Sequence, residues 1–219
     1  RARVHYAMKA NSNLALIDCF KKLGAGFDLV SGGELARALA VNADPKSLVF
    51  AGVGKSATEI AQALEAGVKC INVESIAELR QINRVATKLN CRAPISLRVN
   101  PDVDAQTHPY ISTGLKGNKF GIAYHEVLKA YREAAQLSQI DVLGIDCHIG
   151  SQITTTAPYL DALDKVLDLV EHLKREGIII HHLDLGGGLG ISYSDETPPD
   201  ITEFTNTLLN RVAERGFGH

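Results

Sequence analysis

Short β-type runs alternate with longer amphipathic stretches along the whole chain. The pattern predicts strands over Arg3–Met8, Gly26–Val30, Leu48–Ala51, Cys70–Val73, Ile95–Val99, Val142–Cys147 and His182–Leu185. Helical periodicity follows each of them, over Leu14–Leu23, Glu34–Val41, Ala57–Ala66, Ile76–Leu89, His125–Leu137, Tyr159–Glu176 and Thr202–Arg215. Consecutive β-then-α units imply a parallel sheet, because parallel neighbours need a crossover and the helix provides it. Leu48-Val49-Phe50-Ala51 and Ile178-Ile179-Ile180 are apolar without alternation, as in a sheet covered on both faces. A doubly wound sheet and a (β/α)8 barrel both satisfy this pattern. A barrel needs an eighth strand and about 250 residues. The 219 residues match an incomplete TIM-like barrel of about seven β/α units, with 1–219 as one partial domain.

Local signals support the helix starts. Ser31 with Glu34, Ser56 with Glu59, Ser75 with Glu78 and Asp200 with Glu203 have capping-box spacing. Gly24, Gly67, Gly177 and Gly216 follow helical runs, where a left-handed stop favours glycine. The longest irregular connection is Asn100 to Ile122, and loops of that length are commonly functional. The chain opens at Arg1 almost inside a strand and closes at His219 where another strand is due, so a piece of a longer protein is expected.

A net charge of −2, with 45% hydrophobic and 22% charged residues, gives no reason to expect nucleic acid or an anionic membrane as partner. No apolar stretch approaches the length of a membrane span. Cys19, Cys70, Cys91 and Cys147 lack Cys-x-x-Cys spacing, so neither a disulfide framework nor a metal site is expected, and a reducing cytoplasm fits best.

Three strand ends carry groups with chemical use. Lys9 closes the first strand; in a barrel that is the catalytic face. Surrounded by apolar strand residues, its ammonium form would be penalised and the free amine needed for imine formation favoured. Gly186-Gly187-Gly188-Leu189-Gly190 follows the last strand, and backbone without side chains can aim N–H groups at a phosphate. His148 and Ser151 follow the sixth strand; a histidine face can stack on a pyridine ring and a serine hydroxyl can donate to a phosphate oxygen. An amine, a flat ring face and a phosphate cradle are what pyridoxal 5'-phosphate requires. Arg98 ends the fifth strand and needs a carboxylate, phosphate or ring partner. Asp28 and Glu74, also at strand ends, could orient the lysine or receive a substrate amine. Taken singly, each has a plainer reading: a solvated lysine, a tight turn, a hydrogen-bonded histidine, a turn serine, structural ion pairs. His5, His181 and His182 read as structural.

Five segments together resemble the diaminopimelate decarboxylase family, of the alanine racemase-like barrel group. They are Tyr6-Ala7-Met8-Lys9-Ala10-Asn11, Phe27-Asp28-Leu29-Val30-Ser31-Gly32-Gly33-Glu34-Leu35, Arg98-Val99-Asn100-Pro101, His148-Ile149-Gly150-Ser151-Gln152 and Asp184-Leu185-Gly186-Gly187-Gly188. Thr113-Gly114 through Lys119-Phe120-Gly121 adds to the likeness. The resemblance implies pyridoxal 5'-phosphate as cofactor and meso-2,6-diaminopimelate as substrate, with lysine and CO2 as products. It implies Lys9 as the covalent tether, His148 stacked on the ring, Ser151 with Gly186, Gly187 and Gly188 on the phosphate, and Arg98 beside the ring. Asp28 and Glu34 match motif positions near the lysine. It also implies a homodimer whose partner's C-terminal domain completes each pocket.

The family's Glu-Pro-Gly-Arg and Cys-Glu-Ser-x-Asp motifs do not occur in these 219 residues. Full activity is therefore not expected of this piece alone. Three alternatives stay open: a decarboxylase for ornithine, arginine or a carboxylated polyamine, a non-catalytic pyridoxal-phosphate binder, and a class I aldolase using Lys9.

Overall fold

In a computed structural model that describes residues 2–104, 120–193 and 195–218, the β/α alternation divides between two units. The first comprises Ala2–Leu97 with Arg132–Leu143. It carries β1 (His5–Ala7), α1 (Leu14–Lys22), β2 (Gly26–Leu29), α2 (Gly32–Ala40), β3 (Leu48–Phe50), α3 (Ala57–Ala66), β4 (Cys70–Val73), α4 (Ile76–Leu89) and most of β5 (Ala93–Asn100). Its strands run β1-β2-β3-β4-β5 in order, each parallel to the last, with His5 opposite Gly26, Phe27 opposite Leu48 and Ile71 opposite Ile95. β3 is buried at every position, as its unbroken apolar run requires, and β4 is buried throughout as well, Asn72 included. α4 shows the complementary helical pattern, burying Leu79, Ile82, Val85 and Ala86 along one stripe.

The expected caps form. Ser31, Ser56 and Ser75 each accept the backbone N–H three residues on, and Asp200 accepts those of Thr202 and Glu203. Only Glu59 returns the bond to its own cap residue; Glu34 and Glu78 reach one residue further back, to the N–H groups of Val30 and Glu74 at 2.7 Å. These glutamates thereby tie each helix start to the end of the strand before it. Lys55 lies with its side chain fully buried, 2.7 Å from Glu78, and also donates to the Gly52 carbonyl.

The second unit comprises Arg98–Tyr131 and the residues from Gly144 onward. It holds the end of β5, β6 (Ile122–Ala123), the start of α5 (Val127–Gln136), the end of β7 (Ile140–Asp146), α6 (Ala157–Arg175), β8 (His182–Asp184) and α7 (Ile201–Glu214). β7 and β8 are parallel, Asp146 lying opposite Asp184. A core of Ile149, Ile153, Tyr159, Leu163, Leu167 and Leu208 joins α6 and α7 to the segments after β7 and β8. Arg215 clamps the outside of that helix pair by donating to Asp168 at 2.7 Å and Glu171 at 3.0 Å.

The seven strands predicted from sequence are all present. The pairing of Ile122–Ala123 with Val99–Asn100 was not expected, because two residues carry no readable period. Ile178–Ile180 lies outside any strand, and β8 begins only at His182. Most of the long connection after β5, with its Thr113 to Lys119 motif, lies outside the described residues. Among the described residues no helix is long and apolar enough to cross a membrane.

Candidate functional site

In the first unit β1 stops at Ala7 and the chain takes one 3-10 turn, Met8–Ala10. Met8 is fully buried, whereas Lys9 is exposed. The expectation that apolar strand residues enclose Lys9 is corrected here: the strand ends before it, and the tight turn carries the amine outward. That turn is held on both flanks. Tyr6 stacks on Phe20 with ring centroids 4.3 Å apart and donates its hydroxyl to the Asn11 carbonyl at 3.1 Å. Asn11 accepts the Asn13 N–H, and Asn13 caps α1 by accepting from Ala15 at 2.9 Å. Ala7 lies opposite Asp28, so Asp28 sits on the neighbouring strand beside the step into the Lys9 turn. Glu34 is engaged as a helix-to-strand tie through Val30. Glu74 is buried at the end of β4.

In the second unit the structure brings His148 and the glycine turn together. A β-carbon built on Gly186 would lie 2.8 Å from His148 Nδ1 and 2.7 Å from the Cys147 carbonyl oxygen. One built on Gly188 would overlap the Gly150 carbonyl and reach 3.4 Å from His148 Cε1. Gly186 and Gly188 have φ of +68° and +95°, in the region where only glycine is free of strain. The turn is thus close-packed on the segment after β7 because it has no side chains. Hydrogen bonds lock the same contact. Gly186 N–H donates to Asp184 Oδ1 at 2.9 Å, Ile153 N–H to the Gly188 carbonyl at 2.9 Å, and Gly190 N–H to the Ile153 carbonyl at 2.9 Å. Gln152 closes the far end by exchanging two bonds with the Ile191 backbone.

The outer side of the turn is open: a β-carbon on Gly187 would meet no atom within 4 Å. Ser151 is exposed and His148 half-buried on the adjoining segment. Arg98 at the end of β5 stands 4.0 Å from buried Asp146 and lies over the Phe120 ring, 5.5 Å from its centroid. Two of the three partner types expected for this arginine, a carboxylate and a ring, are therefore present. Burial, reinforced by Asp146 and Asp184, pushes the Cys147 thiol well above its usual range, so it is neither nucleophile nor ligand near neutral pH.

The family described as "Pyridoxal-dependent decarboxylase, pyridoxal binding domain" matches residues 1–218. The chain belongs to it. The diaminopimelate decarboxylase of Vibrio cholerae is 56% identical over 207 residues, covering 94% of this chain and 50% of that protein. That of Neisseria meningitidis serogroup B is 56% identical over 212 residues, covering 97% and 51%. A crystal structure of diaminopimelate decarboxylase from Helicobacter pylori complexed with L-lysine matches with a TM-score of 0.93 and 41% identity, over 97% of this chain and 54% of that one. The chain spans about half the length of these relatives. Its fold class is the parallel β/α barrel of the alanine racemase-like decarboxylase domain, and the cofactor the family implies is pyridoxal phosphate.

Within the second unit, the residues fit the group's phosphate and ring: the turn is bare on its outer side at Gly187 and flanked by an imidazole. Within the first unit, Lys9 offers an exposed amine on a pinned turn, which fits an aldehyde. Two residues of this region escaped the sequence reading. Asp146 was legible, since it is a carboxylate at the end of β7, two residues before His148. Tyr159 was not: on α6 it reads as one more core residue in step with Leu163 and Val166.

Proposed function

We propose that this chain supplies the cofactor-binding half of a diaminopimelate decarboxylase, converting meso-2,6-diaminopimelate to L-lysine and CO2. The observation that carries the reading is the Gly186–Gly188 turn locked against the His148-bearing segment, in a chain whose 56%-identical relatives are diaminopimelate decarboxylases. When bound, pyridoxal phosphate supplies a conjugated ring that accepts the electron pair released as CO2 leaves.

The chain's own residues hold and orient. Lys9 Nζ would be the amine that holds the cofactor through its aldehyde group. The His148 imidazole offers a flat face for the ring, kept in place by the glycine turn beside it. Backbone N–H groups of the turn and the Ser151 hydroxyl donate to the phosphate. Arg98, steadied by Asp146 and Phe120, contributes a fixed positive charge on the ring side. Asp28, opposite Ala7 on the neighbouring strand, would orient that amine. The remaining half would supply the acid for the pyridine nitrogen and the surface for the substrate's distal end. The working form proposed is a cytoplasmic homodimer, with each pocket completed by the partner.

The test is product analysis with full-length protein, pyridoxal phosphate and meso-diaminopimelate. Lysine and CO2 should form in equal amounts, and Lys9→Ala should abolish both. Faster consumption of ornithine or arginine would overturn the substrate assignment.

A further inference from the structure

Tyr159 occupies the first turn of α6 with 5% of its surface exposed. Its ring stands edge-on to Phe204, with centroids 4.8 Å apart and planes at 76°. Its hydroxyl donates to the Gly187 carbonyl at 3.2 Å. That bond approaches the glycine turn from behind, through an apolar cavity of about 60 Å³ lined by Leu185, Leu189, Phe204 and Leu208 along with Tyr159 and the turn itself.

A trans peptide unit is planar, so the carbonyl of one residue and the N–H of the next point in opposite directions. Drawing the Gly187 carbonyl toward Tyr159 therefore aims the Gly188 N–H away from α6. The next carbonyl, that of Gly188, is fixed by Ile153, and the Gly186 N–H is spent on Asp184. The 187–188 peptide is the one whose facing depends on the tyrosine. Glycine on both sides lets this plane rotate cheaply, and without the hydroxyl its carbonyl would face an apolar lining with no donor. The plane would then be free to turn, taking the Gly188 N–H with it.

We propose that Tyr159 is a positioning residue for the cofactor's phosphate, holding the 187–188 peptide so that the Gly188 amide faces the phosphate oxygens. This rests on reading the glycine turn as the phosphate site. Burial raises the phenol above its usual range, so the hydroxyl stays a donor at every pH where the protein would work.

The experiment compares two probes on full-length apo-protein: pyridoxal 5'-phosphate, and pyridoxal, which has the same ring and aldehyde without the phosphate. Dissociation constants are read from the absorbance change on binding. In Tyr159→Phe the ring and its contact with Phe204 remain, so the fold is retained. Losing one correctly aimed donor to a phosphate should weaken pyridoxal phosphate binding about tenfold or more, with pyridoxal binding unchanged. Phe204→Leu, which removes the ring contact but keeps the hydroxyl, should lower the melting temperature and preserve the preference for the phosphorylated probe. Equal weakening of both probes in Tyr159→Phe, or no weakening of either, overturns the proposal while leaving the phosphate site standing. Wild-type protein that binds both probes equally well removes the phosphate site itself, and the proposal with it.

Discussion

Gly188 approaches Gly150 so closely that no side chain fits between them, a β-carbon at position 188 overlapping the carbonyl of residue 150. With φ at +95°, Gly188→Ala adds backbone strain of about 1–3 kcal/mol to that steric conflict. The denaturation midpoint should fall, and cofactor should be lost with it as the turn moves off the His148 segment. Gly187→Ala, one residue away, has open space around the new methyl and should change stability by no more than about 0.5 kcal/mol. Equal losses for the two variants in urea unfolding would refute the claim that the turn is anchored at Gly188.

Lys55 and Glu78 form a second asymmetric pair. The lysine side chain is fully buried and the glutamate 11% exposed, at a separation of 2.7 Å. Glu78→Ala strands a buried ammonium and removes the tie to the Glu74 N–H, so a loss of about 3–5 kcal/mol is expected. Lys55→Met fills the same space without charge and leaves Glu78 its backbone bond, so it should cost much less. Chemical unfolding of both variants checks this; comparable losses would contradict the asymmetry.

The parallel sheet was readable because short β-type runs alternate with helical stretches, each helix providing the crossover that parallel neighbours need. The helix starts were readable because Ser31, Ser56, Ser75 and Asp200 announce themselves by type and spacing. β6 was not, since Ile122–Ala123 exists only as a partner of Val99–Asn100. The exposure of Lys9 was hidden for a different reason: it depends on where β1 stops, and strand ends are set by neighbours as much as by local residues. The meeting of His148 with Gly186 spans a helix and nearly forty residues, so only the likeness to known motifs pointed to it. The hydroxyl of Tyr159 was beyond reach, because a core position specifies a ring and says nothing about which carbonyl its oxygen meets.

Glu59 joins two helices by accepting the Gly32 N–H at 2.9 Å and the Ser56 N–H at 3.0 Å. Those bonds, the one from Gly32 foremost, hold its carboxyl below the usual glutamate range. A folded-state value below the unfolded one means stabilisation that is present above about pH 4.3 and lost as pH falls through the folded value. Glu59→Gln should flatten the acid limb of the stability curve between about pH 5 and 3, at a cost of about 0.5–2 kcal/mol near neutrality. Unfolding midpoints measured across that range should converge at low pH; parallel curves for wild type and variant would contradict the assignment.

Cys147 governs the opposite limb. Its thiol is held above the usual range by burial first and by Asp146 and Asp184 next. The unfolded chain releases this proton near pH 8.5, while the folded chain keeps it. Above that pH the folded state binds more protons than the unfolded state, so stability must decline as pH rises. The contribution is fully present below about pH 8.5 and is withdrawn progressively on the alkaline side. Cys147→Ala should be less stable at neutrality by about 1 kcal/mol, for the lost packing, yet fall less steeply between pH 8.5 and 10.5. Alkylation gives an independent reading. Exposed Cys19 should react with iodoacetamide at neutral pH, whereas buried Cys147 should become labelled only with global unfolding. Rapid labelling of Cys147 in the folded protein would show that the strand end beneath His148 opens locally, and the steady placement of that imidazole beside the glycine turn would then be untenable.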